Sequence, residues 1–154
     1  MGQLMNWWQK CPERLATEQR IMSQKFPQLK LGEASADKIV NSRTVVKKGQ
    51  KYWFGGLTTR SGNKYTVLIV YPVHYPCQEI KAYIIKPIIS SPNYIHVYGD
   101  GHLCLYSNDH GGRGQGFGKG MTAVSYVGWT AAWLHAYEIF LKTGKWPMNN
   151  FISR

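Results

Sequence analysis

Residues 96–106 read His96-Val97-Tyr98-Gly99-Asp100-Gly101-His102-Leu103-Cys104-Leu105-Tyr106. A cysteine between two leucines, taken alone, is a small apolar side chain and reads as a buried structural thiol. The neighbours shift that reading. Histidines stand two and eight residues before it, a Gly-Asp-Gly turn brings the chain round, and Arg113 and Lys119 follow, a setting that favours the thiolate. Cys104 is therefore a candidate nucleophile, with His102 and His96 as the nearby titratable side chains.

Two other chemistries compete for the same stretch. His96, His102, Cys104 and His110 are the ligand types zinc prefers. Their spacing fits no common finger or deaminase pattern, and no Glu sits where a deaminase needs its proton carrier. The glycine-rich run at 111–120, with Arg113 and Lys119, invites phosphate binding through backbone amides. It lacks the Gly-Lys-Ser/Thr ending of a P-loop and follows no strand that would aim it. A flexible flap beside the cysteine is the better account, and neither metal nor cofactor is expected. Cys11, Cys77 and Cys104 are an odd set at wide spacings without a CxxC pair, which argues against a disulfide framework. A reducing cytoplasm is the expected location.

The elements that must hold this loop follow from periodicity. A helix is expected over 12–26, where Pro12 suits a first helical position, Glu13 favours the positive end, and Leu15, Met22 and Phe26 fall near one face. Pro27 stops it. Residues 28–41 read as a short strand or loop. From Arg43 the pattern becomes that of strands, at Thr44-Val45-Val46, Tyr52-Trp53-Phe54, 65–71 and Tyr83-Ile84-Ile85. Turn signals at Lys48-Gly49-Gln50 and Ser61-Gly62-Asn63 imply a four-stranded antiparallel meander. Residues 91–121 lose periodicity, and a loop of that length inside a compact domain is usually functional or mobile. A second helix is expected over 125–142, with Trp129, Trp133, Tyr137, Phe140 and Leu141 as an aromatic stripe and Gly144 as its cap. Helix, meander, active-site loop and helix make an α+β order.

Length and charge bound the rest. The chain has 154 residues, within the usual range of about 100 to 200 for one domain. Nineteen Lys and Arg against eight Asp and Glu give +11, while 44% of residues are apolar, so a folded basic protein is expected rather than a disordered one. The longest apolar run, 67–71, is too short to cross a bilayer, so no membrane is expected. Lys47, Lys48, Lys51, Arg60 and Lys64 gather around the meander turns, where a solvated edge is preferred to a docking surface for an acidic partner.

Tyr71-Pro72-Val73-His74-Tyr75-Pro76, a further strand, His96, then Gly101-His102-Leu103-Cys104-Leu105 and a tryptophan-rich helix together resemble the ubiquitin-conjugating enzyme family. That family has a Tyr-Pro turn after a strand, a His-Pro-Asn motif, and Gly-x-Ile/Val-Cys-Leu bearing the active cysteine. The likeness covers most of residues 12–143. Arg14-Leu15, Glu18, Phe26-Pro27, the 100–106 stretch and Trp133 to Trp146 resemble more closely the family's bacterial branch. Its members are encoded in CBASS antiphage defence operons beside cGAS-like nucleotidyltransferases.

The resemblance implies a ubiquitin-conjugating-type fold and a cysteine-dependent acyltransferase. Cys104 would accept an activated protein C-terminus as a thioester, which the resemblance to this branch implies is that of a cGAS-like nucleotidyltransferase, and an acceptor protein's amine would then attack it. The chain has no nucleotide-binding segment to activate a carboxylate, so an activating enzyme or a preactivated donor is implied. The family's oxyanion donor is the Asn of His-Pro-Asn, but here His96 is followed by Val97 and Tyr98. Replacements in reach of the sequence are His102, His96, Asn93, Asn108 and glycine-loop amides. His102 is preferred, because it is nearest and can both donate a hydrogen bond and exchange a proton near neutral pH. In an extended segment its side chain would share a face with Cys104, whereas in a turn the two would diverge. A simple structural bond from His102 to the loop backbone is an equal alternative.

Two other functions stand beside the transferase. The missing Asn lends weight to a noncatalytic scaffold of the same fold that binds the nucleotidyltransferase or a ubiquitin-like protein. A basic nucleic-acid-binding module ranks third, because the Lys and Arg residues are dispersed over the whole chain.

Overall fold

A computed structural model describes residues 5–40, 43–89, 96–105 and 121–147. A short helix α1 (Trp7–Lys10) precedes α2 (Pro12–Lys25). The Gln9 side chain takes the Asn6 backbone N–H at 2.8 Å and secures the start of α1. In α2, Pro12 occupies the first turn, and Phe26 closes the helix by donating its N–H to the Met22 carbonyl at 2.8 Å. The helix ends one residue before the expected limit because the residue preceding a proline is sterically pushed out of the helical region.

Six strands follow: β1 (Lys30–Glu33), β2 (Lys38–Val40), β3 (Arg43–Val46), β4 (Lys51–Thr58), β5 (Lys64–Val70) and β6 (Lys81–Lys86). The main sheet is antiparallel in the order β1-β4-β5-β6, and β2 pairs with β3 in a separate two-stranded sheet. This corrects the expected meander. Its first strand is Lys30–Glu33, not the stretch around Thr44-Val45-Val46, which forms a separate hairpin with Lys38–Val40. Strand β1 is short, polar and interrupted by Gly32, so its pattern carries little strand signal. Gly32 has a packing reason: the Tyr52 ring occupies the space a Cβ would need, with ring atoms 2.6 Å from that position.

The central strand β5 is covered on both faces, which explains its nearly unbroken apolar sequence. Val67 and Ile69 join the core beneath the helices, while Leu68 and Val70 pack with Val45 and Val46 of the β2–β3 hairpin. The helices therefore cover one face, and the unexpected hairpin the other.

Helix α3 (Ala123–Thr143) lays Ala123, Val127, Trp133 and Leu134 into the first core, all fully buried. Gly144 caps it in the left-handed region, with φ of 78°. The helix begins two residues earlier than its side-chain pattern suggests because Glu18 of α2 supplies a cap. The buried Glu18 carboxylate accepts the Ala123 N–H at 2.9 Å and the Tyr71 hydroxyl at 2.7 Å, and also binds the Tyr75 hydroxyl. Trp53 Nε1 extends the network to the Tyr71 oxygen at 2.8 Å. Thus α2, the end of β5, the Tyr-Pro turn and the start of α3 meet at one carboxylate. Among the described residues no helix is long and apolar enough to cross a membrane.

Candidate functional site

The stretch 96–105 folds back on itself as a small hairpin. Val97 pairs with Leu103 in an antiparallel bridge, Tyr98 N donates to the His102 carbonyl at 2.9 Å, and Cys104 N donates to the His96 carbonyl at 2.9 Å. Gly99-Asp100-Gly101 forms the loop. The Gly101 N–H closes it on the Tyr98 carbonyl at 2.9 Å, with Gly101 at φ of 96°, a conformation that favours glycine. The hairpin is tied to the sheet through Leu103 N, which donates to the Ala82 carbonyl of β6 at 2.8 Å.

Because this segment is extended, its side chains alternate. Leu103 and Leu105 are buried in the core, while His102 and Cys104 occupy the other face. The flanking leucines therefore anchor the hairpin without burying the thiol, and Cys104 remains half-buried.

Tyr98 links the two. Its ring stacks on the His102 ring with centroids 4.4 Å apart and planes 24° from parallel, and its hydroxyl lies 3.6 Å from Cys104 Sγ. On the far side, Asp100 Oδ1 meets His102 Nδ1 at 2.5 Å and accepts the His102 backbone N–H at 3.0 Å. Lys81 Nζ at the start of β6 holds Asp100 Oδ2 at 2.9 Å. The result is a connected row of Lys81, Asp100, His102, Tyr98 and Cys104.

The electrostatics follow from this packing. Partial burial opposes the Asp100 charge, but the hydrogen bonds from the His102 backbone, Lys81 and the His102 ring prevail and hold its carboxyl down at about 2. Burial pushes the His102 imidazole below its ordinary value, although Asp100 pulls the other way. Burial also lowers His96. Both rings are therefore neutral near pH 7.

His96 sits differently from His102. Its carbonyl accepts the Cys104 N–H and the Trp133 indole N–H, the latter at 3.0 Å, while its ring lies against Trp146 at 5.0 Å between centroids. The structure thus brings the His96 backbone beside Cys104 and its ring into an aromatic cluster. Among the described residues no three His, Cys, Asp or Glu side chains converge as a metal site. Asn93, Asn108, His110, Arg113, Lys119 and the run at 111–120 lie outside the described residues.

Sequence reasoning did not single out Tyr98, Asp100 and Lys81 as members of the site. The signal for the first two was the Gly-Asp-Gly turn itself, since a hairpin closing there sets Tyr98 opposite His102. Lys81 carried no local signal, being brought in by the docking of the hairpin on β6.

The family described as Type II CBASS E2 protein matches residues 19–152. The chain belongs to that family. No curated protein and no solved structure matches it. The match spans the sheet, the hairpin bearing Cys104 and α3, and the family's name gives this CBASS E2 chain an E2-type role in CBASS defence. The architecture is α+β, an antiparallel sheet with helices at its N- and C-terminal ends.

Proposed function

We propose that this chain is a single-domain ubiquitin-conjugating-type acyltransferase that works in the cytoplasm. Cys104 carries a protein C-terminus as a thioester, and the donor is the C-terminus of a cGAS-like nucleotidyltransferase. The observation that carries the reading is the alternation at 102–105, which sends two leucines into the core and leaves the thiol half-buried beside the Tyr98 hydroxyl, whose ring stacks on His102. A structural thiol has no need of that arrangement.

In the loading step the Cys104 thiolate attacks an activated carbonyl, a C–S bond forms, and the activating group departs with its electron pair. That group comes from a separate activating enzyme or a preactivated donor. In the second step an acceptor amine attacks the thioester, a C–N bond forms and the thiolate leaves. The Tyr98 hydroxyl, 3.6 Å from the sulfur, replaces the family's Asn as a donor to the oxyanion.

The test is to incubate the protein with the donor under activating conditions. Wild type should give an adduct cleaved by reducing thiols, Cys104→Ser an ester, and Cys104→Lys a stable amide. If wild type gives no reducible adduct and the variants no stable one, the transferase reading fails. Donor binding that persists in Cys104→Ala without any adduct would favour the noncatalytic scaffold.

A further inference from the structure

We infer that Asp100 is a positioning residue that fixes the His102 ring with its proton on Nδ1 and its lone pair on Nε2, so that His102 takes up the proton released in acyl transfer. The inference rests on the thioester reading above and assigns a partner and a direction of proton flow to it.

The argument begins with the carboxylate. Asp100 is ionised throughout the neutral range, since its carboxyl is held down at about 2. An ionised carboxylate can only accept hydrogen bonds. The 2.5 Å contact from Oδ1 to His102 Nδ1 therefore requires the proton on Nδ1, and in the neutral ring Nε2 must carry the lone pair. A neutral ring so arranged cannot donate from Nε2 to an oxyanion, but it can accept a proton there. Of the two roles open to His102, proton acceptance is the one this geometry permits.

The carboxylate is itself held in place. Oδ1 also receives the His102 backbone N–H at 3.0 Å, Oδ2 is bound by Lys81 at 2.9 Å, and the left-handed Gly101 sets the turn between Asp100 and His102. The His102 side chain is only 12% exposed, whereas those of Asp100 and Lys81 are 40% and 44% exposed. Tyr98 stacks on one side of the ring and Tyr83 of β6 meets it edge-on, with centroids 6.3 Å apart. A surface salt bridge would need neither the stacked ring nor the second hydrogen bond.

Among the described residues, charged and titratable groups around His102 come from three places: Asp100 and Tyr98 on its own hairpin, Lys81 and Tyr83 on β6, and Glu79 just before β6. Burial and Lys81 disfavour the imidazolium, while Asp100 and Glu79 favour it. In the transfer step the acceptor nitrogen bonds to the thioester carbonyl carbon and its proton passes to His102 Nε2. As the tetrahedral intermediate collapses, the C–S bond breaks and its electron pair stays on Cys104. The imidazolium then returns its proton to the thiolate or to water.

Two measurements test the assignment. Long-range 15N–1H spectra of histidine-labelled full-length protein at pH 7.5 should show His102 protonated on Nδ1, and Asp100→Asn should lose that single tautomer. Separately, Cys104 is charged with a glycine thioester of mercaptoethanesulfonate, and its transfer to glycinamide is followed from pH 5.5 to 8.5. Asp100→Asn should slow transfer by about tenfold to a hundredfold and move the acid limb of the profile to lower pH, because the group that favours the imidazolium has gone. Asp100→Glu should recover much of the rate. Once rates are corrected for the fraction of unprotonated glycinamide, whose α-amine titrates at about 8, His102→Gln should abolish the limb that remains, and adding Asp100→Asn to it should cost nothing more.

A wild-type ring protonated on Nε2, an unchanged pH profile in Asp100→Asn, or losses that multiply in the double variant would each overturn the assignment. A wild-type Cys104 that takes no acyl group from the probe instead overturns the thioester reading, and the spectra still decide whether Asp100 sets the His102 tautomer.

Discussion

The hydroxyl of Tyr98 reaches the sulfur of Cys104 at 3.6 Å while its ring lies stacked on His102. One side chain thus performs two separable tasks, a hydrogen bond through oxygen and a packing contact through the ring. Tyr98→Phe removes only the first. We expect it to slow capture of a thioester probe by Cys104 about fivefold, the equivalent of one hydrogen bond of about 1 kcal/mol, with stability almost unchanged. Mass spectrometry of the adduct over time, beside a urea titration, checks both halves. Equal capture rates in the two proteins would remove Tyr98 from the site.

Adjacent residues in the hairpin should respond in opposite ways. Leu103 is 3% exposed and packs in the core, so Leu103→Ala should cost about 3 kcal/mol. Cys104→Ser changes a half-buried atom on the other face and should cost less than about 1 kcal/mol. Urea midpoints measured on both variants test the alternation. A Cys104→Ser protein as unstable as Leu103→Ala would mean that the thiol is a core group.

Glu18 should matter for stability out of proportion to its size. Removing its carboxylate leaves the Ala123 N–H and the Tyr71 hydroxyl short of an acceptor in a buried place, and the Tyr75 hydroxyl with the Met121 carbonyl at 3.3 Å in its stead. Glu18→Ala should therefore destabilise by about 3 kcal/mol, and Glu18→Gln by less, since an amide keeps one acceptor oxygen. Hydrogen exchange should report early fraying at the start of α3. Undiminished protection there in Glu18→Ala would show that the cap is dispensable.

Stability should decline as the solution becomes mildly acidic. His96 and His102 both have folded-state proton affinities below the ordinary imidazole value of 6.5, owing to burial. The unfolded chain therefore binds protons first as pH falls. The stabilisation is complete above about 6.5 and is lost progressively toward the lower folded-state values. Asp100 acts in the same direction but only between 3.8 and about 2. Urea midpoints at pH 7.5, 6.5 and 5.5 should fall in order, with a shallower slope in His102→Gln. A flat profile would contradict buried neutral rings.

Much of the fold can be read from local chemistry. Pro12 and Pro27 bracket α2, Gly144 ends α3, and the β-branched and aromatic runs mark β4, β5 and β6, because each signal acts within a few residues of where it is written. Pairing was another matter. Thr44-Val45-Val46 has strong strand character, yet it left the main sheet to the weak segment Lys30–Glu33. Local propensity says that a segment is extended, not which neighbour supplies its hydrogen bonds, and packing on the second face of β5 decided that.

The site divides along the same line. Residue order alone supplied a cysteine, two histidines and a turn, and the ordered motifs carried the family resemblance. Folding decided which face of the hairpin each side chain takes, sent the His96 ring toward Trp146, and brought Lys81 to Asp100 across 19 positions. Side-chain orientation at a turn depends on the register of the strands it joins, and that register is fixed only when Leu103 docks on Ala82 and the two leucines find the core. The sequence determined which groups were present; tertiary packing determined which of them meet.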